Sequence, residues 1–187
     1  LLNWFISVSL NQSLIFEKCV LFGEKDVLEW MENRGYSYEW NDWNVEICIR
    51  RNHVDLLNWI YENWIYEYIK TIWDEYRYVR LAAKYGSEDI LEWAYKKKLL
   101  QNEHWDEWVV RTTVINGRLN VLEWAYNNNL SNNVIWNEWI LRELLNNGCL
   151  HILEWVHDKQ IINRLSWNEW MTRIVVSKGY IDILRWA

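Results

Sequence analysis

A three-residue string, Leu-(Glu/Asn/Arg)-Trp, recurs along the chain at nearly even spacing. Its tryptophan, called the anchor here, stands at positions 4, 30, 59, 93, 124, 155 and 186, so the gaps are 26, 29, 34, 31, 31 and 31 residues. Sixteen of the 17 tryptophans belong to this string or to a second one, Trp-(Asn/Asp)-(Asp/Glu)-(Trp/Tyr), which precedes the anchor by 19 or 20 residues. This periodicity predicts a tandem array of units of about 31 residues. The second string begins at Trp40, Trp73, Trp105, Trp136 and Trp167.

One backbone turn recurs with the anchors. Seven residues before each anchor from Trp30 onwards stands a glycine, except in one repeat, where asparagine takes its place. Glycine, and to a lesser degree asparagine, tolerates a positive φ, so this position predicts a left-handed residue at the end of a helix. Each unit is therefore expected to be a helix, a tight turn and a second helix. The six turn residues are Gly23, Asn52, Gly86, Gly117, Gly148 and Gly179.

The two helices of a unit have different patterns. The first is expected to begin at the second string, where asparagine or aspartate can cap it, and to pack against the second through small or aliphatic residues. The second helix is expected to begin four residues before the anchor, at residues suited to a helix start, and to bury a wide apolar face. The caps of the first helix are predicted at Asp74, Asp106, Asn137 and Asn168.

Residues 81–99, LAAKYGSEDILEWAYKKKL, resemble the helix–turn–helix half of an ankyrin repeat in their paired alanines, turn glycine and Ile-Leu pair. The L-E-W-A form resembles ankyrin-type repeats of giant DNA viruses and their amoebal hosts. The resemblance implies an all-α solenoid of about six helical pairs. It also implies that the protein binds other proteins, in the manner of a viral protein that acts on host factors. The ankyrin T-P-L-H string is missing, so β-hairpin fingers between the pairs are expected to be reduced or absent.

The repeats are expected to form a single domain over residues 1–187, with the second helix of a leading repeat at 1–10. Because both ends cut through the same element and no polar capping repeat is visible, we expect a fragment of a longer array. The repeats are predicted near residues 11–39, 40–72, 73–104, 105–135, 136–166 and 167–187.

Composition argues against several classes of function. The formal net charge is −6 without a basic stripe, which argues against nucleic-acid binding. No apolar run approaches the roughly 18 residues of a membrane span, so no membrane association is expected. Three scattered cysteines indicate a reducing intracellular compartment, the cytoplasm, and Cys19 and Cys48 share a repeat position typical of core residues. No catalytic, metal-binding or cofactor-binding motif is present, so neither an enzyme nor a cofactor is expected.

An arginine recurs in the first helix, four residues after a glutamate in three units. Glutamate followed by arginine at this spacing is the favourable orientation for a helical ion pair. We interpret the series as a structural ion-pair ladder, and an anion-binding stripe for phosphate or an acidic peptide is the alternative. The pairs are Glu107 with Arg111, Glu138 with Arg142, and Glu169 with Arg173.

The predicted function is protein–protein recognition by a monomeric scaffold, through residues outside the repeat pattern. Sixteen tryptophans are expected in the core or between repeats. Trp64 falls in the longest gap between anchors, where it indicates either a contact site or a locally repacked core. Two alternatives stay open: a structural spacer in a larger multidomain protein, and a nucleic-acid or glycan binder that stacks ligands on aromatic rings. The predicted partner-binding residues are Tyr38, Trp64, Tyr66, Gln101, Asn102, His104, Asn132, Asn133, Asn163 and Arg164.

Overall fold

The structure, a computed structural model, describes residues 12–36, 38–63, 77–100, 104–130, 136–161 and 167–187. Within these ranges every regular element is helical and no strand occurs, which confirms the all-α prediction for this part of the chain. The chain divides into two compact units, residues 1–100 and 101–187. Most of the segments where hairpin fingers would form lie outside the described ranges, so the reduction of the fingers stays a prediction.

Unit 1 contains three consecutive helical pairs among its described residues. The two helices of a pair pack on each other, and the first helices of neighbouring pairs stack, as do the second helices. The pairs are α1 (Gln12–Phe22) with α2 (Lys25–Asn33), α3 (Asp42–Arg51) with α4 (Val54–Asn63), and α5 (Arg77–Tyr85) with α6 (Glu88–Lys96).

Unit 2 repeats this arrangement in its described residues. Its first helices stack in sequence, α7 on α9 and α9 on α11, and each packs on the second helix of its own pair. The six pairs of the two units agree with the six turn residues found in the sequence. The pairs of unit 2 are α7 (Glu107–Ile115) with α8 (Leu119–Asn127), α9 (Glu138–Asn147) with α10 (Leu150–Asp158), and α11 (Glu169–Lys178) with α12 (Ile181–Trp186).

All six predicted turn residues have a left-handed backbone, with φ between 58° and 76°. The first turn shows the hydrogen bonds of a Schellman motif, in which the Glu24 amide donates to the Cys19 carbonyl (2.9 Å) and the Gly23 amide to the Val20 carbonyl (3.4 Å). The Lys25 amide then donates to the Gly23 carbonyl (2.9 Å) and closes an inverse γ-turn. This last bond recurs at every one of the six turns.

These turns shift the start of the second helices away from the predicted residue. We expected the second helix to begin four residues before the anchor, but it begins five residues before it. The residue preceding it makes no side-chain cap bond, as at Ser87 and Tyr180. The inverse γ-turn explains this, because a backbone carbonyl already accepts the first helical amide. Asp26, Asp89 and Asp182 lie inside the first turn instead, where negative charge suits the helix dipole.

Side-chain caps occur at the first helices, as predicted. Three of the four predicted caps accept a hydrogen bond from the amide three residues later, at 2.9 to 3.3 Å. Asn41 occupies the same place in its repeat and forms a reciprocal capping box with Asn44. The fourth predicted cap, Asp74, lies outside the described residues. The three confirmed caps are Asp106, Asn137 and Asn168.

The anchor tryptophans of the central repeats are buried, as predicted. Each of two anchors lies edge-on to a tyrosine that follows the previous anchor by two residues. The ring centroids of Tyr61 and Trp93 are 5.4 Å apart, and those of Tyr126 and Trp155 are 5.7 Å apart. Edge-to-face rings of this kind attract each other beyond the area they bury, so the anchors join adjacent pairs.

At four of the turns, a side chain contacts the preceding helical pair. The side chain belongs to the residue directly after the turn residue, and it reaches a carbonyl near the end of the preceding first helix. We call these contacts the cross-repeat bonds; they join adjacent pairs through carbonyl groups near the end of a first helix. The donors and acceptors are Ser87 Oγ and Ile49 O (2.5 Å), His53 Nε2 and Leu21 O (3.1 Å), Tyr180 OH and Asn146 O (3.3 Å), and Cys149 Sγ and Val114 O (3.6 Å).

Candidate functional site

The first helices of unit 2 each place a tryptophan in their first turn and an arginine three residues later. The tryptophan stands sixteen residues before the anchor and the arginine thirteen. Residues three apart lie on the same helix face, so the stacking of α7, α9 and α11 brings both residue types into one row. We call this row the tryptophan–arginine ladder; it consists of Trp108, Arg111, Trp139, Arg142 and Trp170.

The ladder is built from contacts between successive repeats. The guanidinium carbon of Arg111 lies 3.4 Å from the ring centroid of Trp139 and 5.3 Å from that of Trp108. The two rings meet edge to face, with centroids 6.4 Å apart and planes at 73°. One repeat further on, the guanidinium carbon of Arg142 lies 5.4 Å from the Trp170 ring. Each arginine therefore makes a cation–π contact with the tryptophan of the following repeat.

Two of the sixteen tryptophans that were expected in the core or between repeats expose about half or more of their side chains to solvent. Trp108 is 59% exposed, and Trp43, at the same repeat position in unit 1, is 47% exposed. The first tryptophan of the same string, Trp105, is 2% exposed. A repeat period assigns a residue to one place in every unit but does not say which side of the helix that place occupies. The same repeat pattern can therefore contain both a buried tryptophan position and an exposed one.

The predicted ion pairs within the first helices form in one of the three units. Arg173 donates to Glu169 at 2.6 Å, whereas Arg111 pairs with Glu143 of the next repeat at 3.4 Å. The prediction was wrong for Arg111 because its guanidinium group lies over the neighbouring tryptophan and so extends toward the next repeat. Within the described residues, no ion pair joins Arg142 to the glutamate of its own helix.

Unit 1 uses the same two repeat positions for a different contact. Glu46 stands thirteen residues before its anchor and forms an ion pair with Arg77, which stands sixteen residues before the next anchor. Arg77 also lies 3.5 Å from Asp42, and its hydrogen bond to Glu46 raises the pKa of the guanidinium group. The contact between first helices is therefore ionic at this point of unit 1 and aromatic–cationic in unit 2.

No protein-family model, curated protein or solved structure matches this chain. The function is therefore inferred from the residues themselves. Among the described residues, the ladder combines the most exposed tryptophan with two stacked arginines, and we take it as the candidate site.

Two of the ten predicted partner-binding residues are described, and neither presents its ring freely to solvent. His104 is 5% exposed, so little of its side chain reaches solvent in this structure, and its role in partner binding stays a prediction. The Tyr38 ring stacks on Phe16 with centroids 4.6 Å apart and meets Trp40 edge-on at 5.9 Å. Burial raises the pKa of Tyr38 to about 12. The other eight lie outside the described residues: Trp64, Tyr66, Gln101, Asn102, Asn132, Asn133, Asn163 and Arg164.

The cysteines are core residues, as predicted for Cys19 and Cys48. Burial raises the pKa of the Cys48 thiol to about 12 and also raises the pKa values of Cys19 and Cys149. A thiol with a raised pKa stays protonated at neutral pH and is a poor nucleophile. Across the described ranges, no three His, Cys, Asp or Glu side chains are grouped so that they could hold a metal ion.

The described helices are short compared with the thickness of a membrane. The longest of them, α1, has 11 residues, whereas a helix that crosses a bilayer needs about 20. None of the helices in the described ranges could therefore span a membrane.

Proposed function

We propose that the protein is an ankyrin-repeat-like scaffold for protein–protein recognition and that unit 2 contacts its partner through the tryptophan–arginine ladder. The observation that carries the proposal is the 59% exposure of Trp108 beside a stacked arginine. Exposing a large aromatic ring to water is unfavourable, and tryptophan and arginine are the residues most enriched at the energetic centres of protein interfaces. The helical pairs and left-handed turns support the ankyrin-like part of the proposal.

The ladder is held in place before any partner arrives. Arg111 is fixed by Trp139 on one side and by the carboxylate of Glu143 on another. Ordering a free arginine on binding costs about 0.5–1.5 kcal/mol, and a side chain that is already ordered avoids most of this cost. The ladder therefore has the rigidity expected of a recognition surface.

The charges along the ladder are balanced. Exposed glutamates at positions 107, 138 and 169 alternate with the arginines along the stacked first helices. A partner that is recognised mainly by the rings needs no strong net charge, and its affinity should fall only slightly as salt is added. Recognition of a host factor by a viral protein is the biological setting that the sequence resemblance favours.

The test is affinity capture from a eukaryotic cell lysate, amoebal if available, followed by binding measurements with the purified captured protein. Trp108→Ala should abolish retention while leaving the fold intact. Trp43→Ala is the matched control, because Trp43 occupies the same repeat position in unit 1 and is also exposed. Equal losses for both variants, or none for either, would remove the ladder from the proposal.

A second candidate function follows from the same exposed ring. The face of Trp108 could stack on a nucleic-acid base or a sugar, with Arg111 beside it as a hydrogen-bond donor. The net charge of −6 weighs against nucleic acid. Tryptophan fluorescence should stay constant on titration with oligonucleotides and oligosaccharides. A saturable change that Trp108→Ala removes would favour this alternative over protein recognition.

The spacer hypothesis is tested by the same capture experiment. A structural spacer has no partner of its own, so the native chain would retain nothing above the level of the Trp108→Ala variant. A monomeric state in sedimentation would be compatible with both hypotheses, whereas specific capture would favour recognition alone.

A further inference from the structure

Arg111 and Arg142 occupy the same place in consecutive repeats but differ in their ionic contacts. The Arg111 guanidinium group lies over the Trp139 ring and 3.4 Å from a carboxylate oxygen of Glu143. The Arg142 guanidinium group lies over the Trp170 ring in the same way, at 5.4 Å. Arg142 is exposed, and in the part of the chain that the structure describes no ion pair includes it.

The repeat pattern explains this difference. A shift of 31 residues along the sequence leads from Arg111 to Arg142, and the same shift leads from Glu143 to Ile174. Ile174 lies in α11, where it is half-buried and carries no charge. The repeat position that supplies a carboxylate to Arg111 therefore supplies none to Arg142.

The contact with Trp170 leaves the hydrogen-bonding capacity of Arg142 unused. A cation–π contact depends on the charge of the guanidinium group, whereas the N–H donors point outward in the plane of that group. A carboxylate can accept two of these bonds side by side, which is the strongest arrangement available to an arginine at a protein interface. Because Arg142 is exposed, its donors are accessible to a carboxylate from outside the chain.

We infer that Arg142 and Ile174 form a subsite for a glutamate side chain of the protein partner. The partner's carboxylate binds Arg142 as Glu143 binds Arg111, and the methylene groups of the same side chain lie against Ile174. We call this place the Arg142 subsite. The inference rests on the proposed function, because it names the partner chemistry for one part of the ladder. A single carboxylate also agrees with the slight salt dependence expected there.

A phosphate group fits the Arg142 subsite less well than a carboxylate. Phosphate-bearing motifs are recognised by clusters of arginines, whereas the other two arginines of this row are already paired with Glu143 and Glu169. Glu138, which is exposed and stands four residues before Arg142 in α9, would repel a doubly charged group more strongly than a singly charged one. One charge and an apolar stem match one arginine and one isoleucine.

The test uses peptides as probes for the full chain. Peptides selected from a random phage-displayed library are kept if Trp108→Ala abolishes their binding, so that each of them depends on the ladder. We expect the kept peptides to be enriched in glutamate, and selection on the Arg142→Gln chain should lose this enrichment. Arg173→Gln is the matched control, because Arg173 has the same repeat position but pairs with Glu169 of its own helix. It should leave the enrichment unchanged.

A double-mutant cycle then tests the contact itself. Replacing the peptide's glutamate by glutamine and introducing Arg142→Gln should each raise the dissociation constant about tenfold, and the two changes together should raise it no further. Ile174→Glu gives Arg142 a carboxylate from within the chain, as Glu143 does for Arg111, and should weaken binding by a similar factor. Ile174→Gln has nearly the same size without the charge and should weaken binding much less. Fluorescence polarisation of a labelled peptide gives the dissociation constants, and thermal unfolding checks the fold of each variant.

Three results would overturn the inference. If Trp108-dependent peptides show no enrichment in glutamate, or if the two changes in the cycle act independently, the Arg142 subsite is refuted while the ladder stays as the proposed interface. Tighter binding of a peptide with phosphoserine in place of its glutamate would assign the subsite to phosphate instead. If no peptide depends on Trp108, the ladder is removed from the proposed function and the subsite is removed with it.

Discussion

The guanidinium carbon of Arg111 lies 3.4 Å from the centre of the Trp139 ring, in the following repeat. The same two repeat positions in unit 1 hold Glu46 and Arg77, which form an ion pair. The same two repeat positions on neighbouring first helices are therefore joined by a cation–π contact in unit 2 and by an ion pair in unit 1. The aromatic form leaves the Trp108 ring exposed to a partner, whereas in the ionic form Glu46 and Arg77 neutralise each other.

Replacing Arg111 should destabilise unit 2 through a lost stack as well as a lost charge. We expect Arg111→Ala to reduce the free energy of unfolding by about 1–2 kcal/mol. Arg111→Lys should recover only part of the loss, because lysine keeps the charge but not the planar group that lies on Trp139. Urea unfolding would measure both effects. As a control, Arg173→Ala removes an exposed pair and should cost no more than about 0.5 kcal/mol; an equal cost would refute a special role for Arg111.

The anchor and ladder tryptophans should differ sharply in their contribution to stability. Trp124 is 6% exposed and lies 6.0 Å from the Trp105 ring, so Trp124→Ala should cost about 3–5 kcal/mol. Trp108→Ala should cost less than about 1 kcal/mol, because most of its ring is already in water. Chemical denaturation of the two variants gives the comparison. Similar costs would mean that the exposed row is structural.

The turn glycines provide a matched pair for testing the contact between repeats. Gly148 and Gly179 both have positive φ, 66° and 74°, so alanine is strained at either position by about 1–2 kcal/mol. Only Gly148→Ala also pushes against a neighbouring ring, that of Tyr180, and it should cost about 3 kcal/mol or more in total. Thermal or urea unfolding of both variants distinguishes backbone strain from packing. Equal costs would show that the ring moves aside easily.

Stability should fall at alkaline pH because the buried Cys48 thiol must ionise on unfolding. Burial raises its pKa from the ordinary value of 9.0 to about 12, so between these values the folded chain holds a proton that the unfolded chain has lost. The folded state binds more protons in this range, and the free energy of unfolding therefore decreases as the pH rises from about 9 to about 12.

Cys48→Ala should flatten this decrease, and alanine is tolerated at the same repeat position, as Ala82 shows. The measurement is urea unfolding of both proteins at several pH values between 8 and 11. The decrease in the free energy of unfolding with pH that remains in the variant measures the other groups that titrate at alkaline pH, among them Tyr38. An unchanged slope would show that Cys48 does not contribute.

The parts of the fold that depend on local backbone chemistry could be predicted from the sequence. Positive φ is open chiefly to glycine and asparagine, so Gly23 and Asn52 mark the turns without reference to any tertiary contact. The caps at Asp106 and Asn137 follow from the same kind of local rule. The start of the second helix could not be predicted, because an inverse γ-turn caps it with backbone alone.

The side of a helix that a repeated residue occupies could not be predicted from its period. Trp105 and Trp108 belong to the same four-residue string, yet only Trp108 is exposed. Likewise, Arg111 stands four residues after Glu107, but its partners come from the next repeat, which the local sequence does not reveal. A signal was present nonetheless, since a tryptophan followed three residues later by arginine recurs at Trp108, Trp139 and Trp170.

The inverse γ-turn between the paired helices has an evolutionary consequence. Because the backbone alone starts the second helix, the side chain after the turn is left to contact the neighbouring pair, and serine, histidine, cysteine and tyrosine all do so. A duplicated repeat brings its own turn and its own donor to any neighbour whose carbonyl groups stand at the same two places. An array joined in this way can lengthen by gene duplication without a compensating substitution in the repeat it joins.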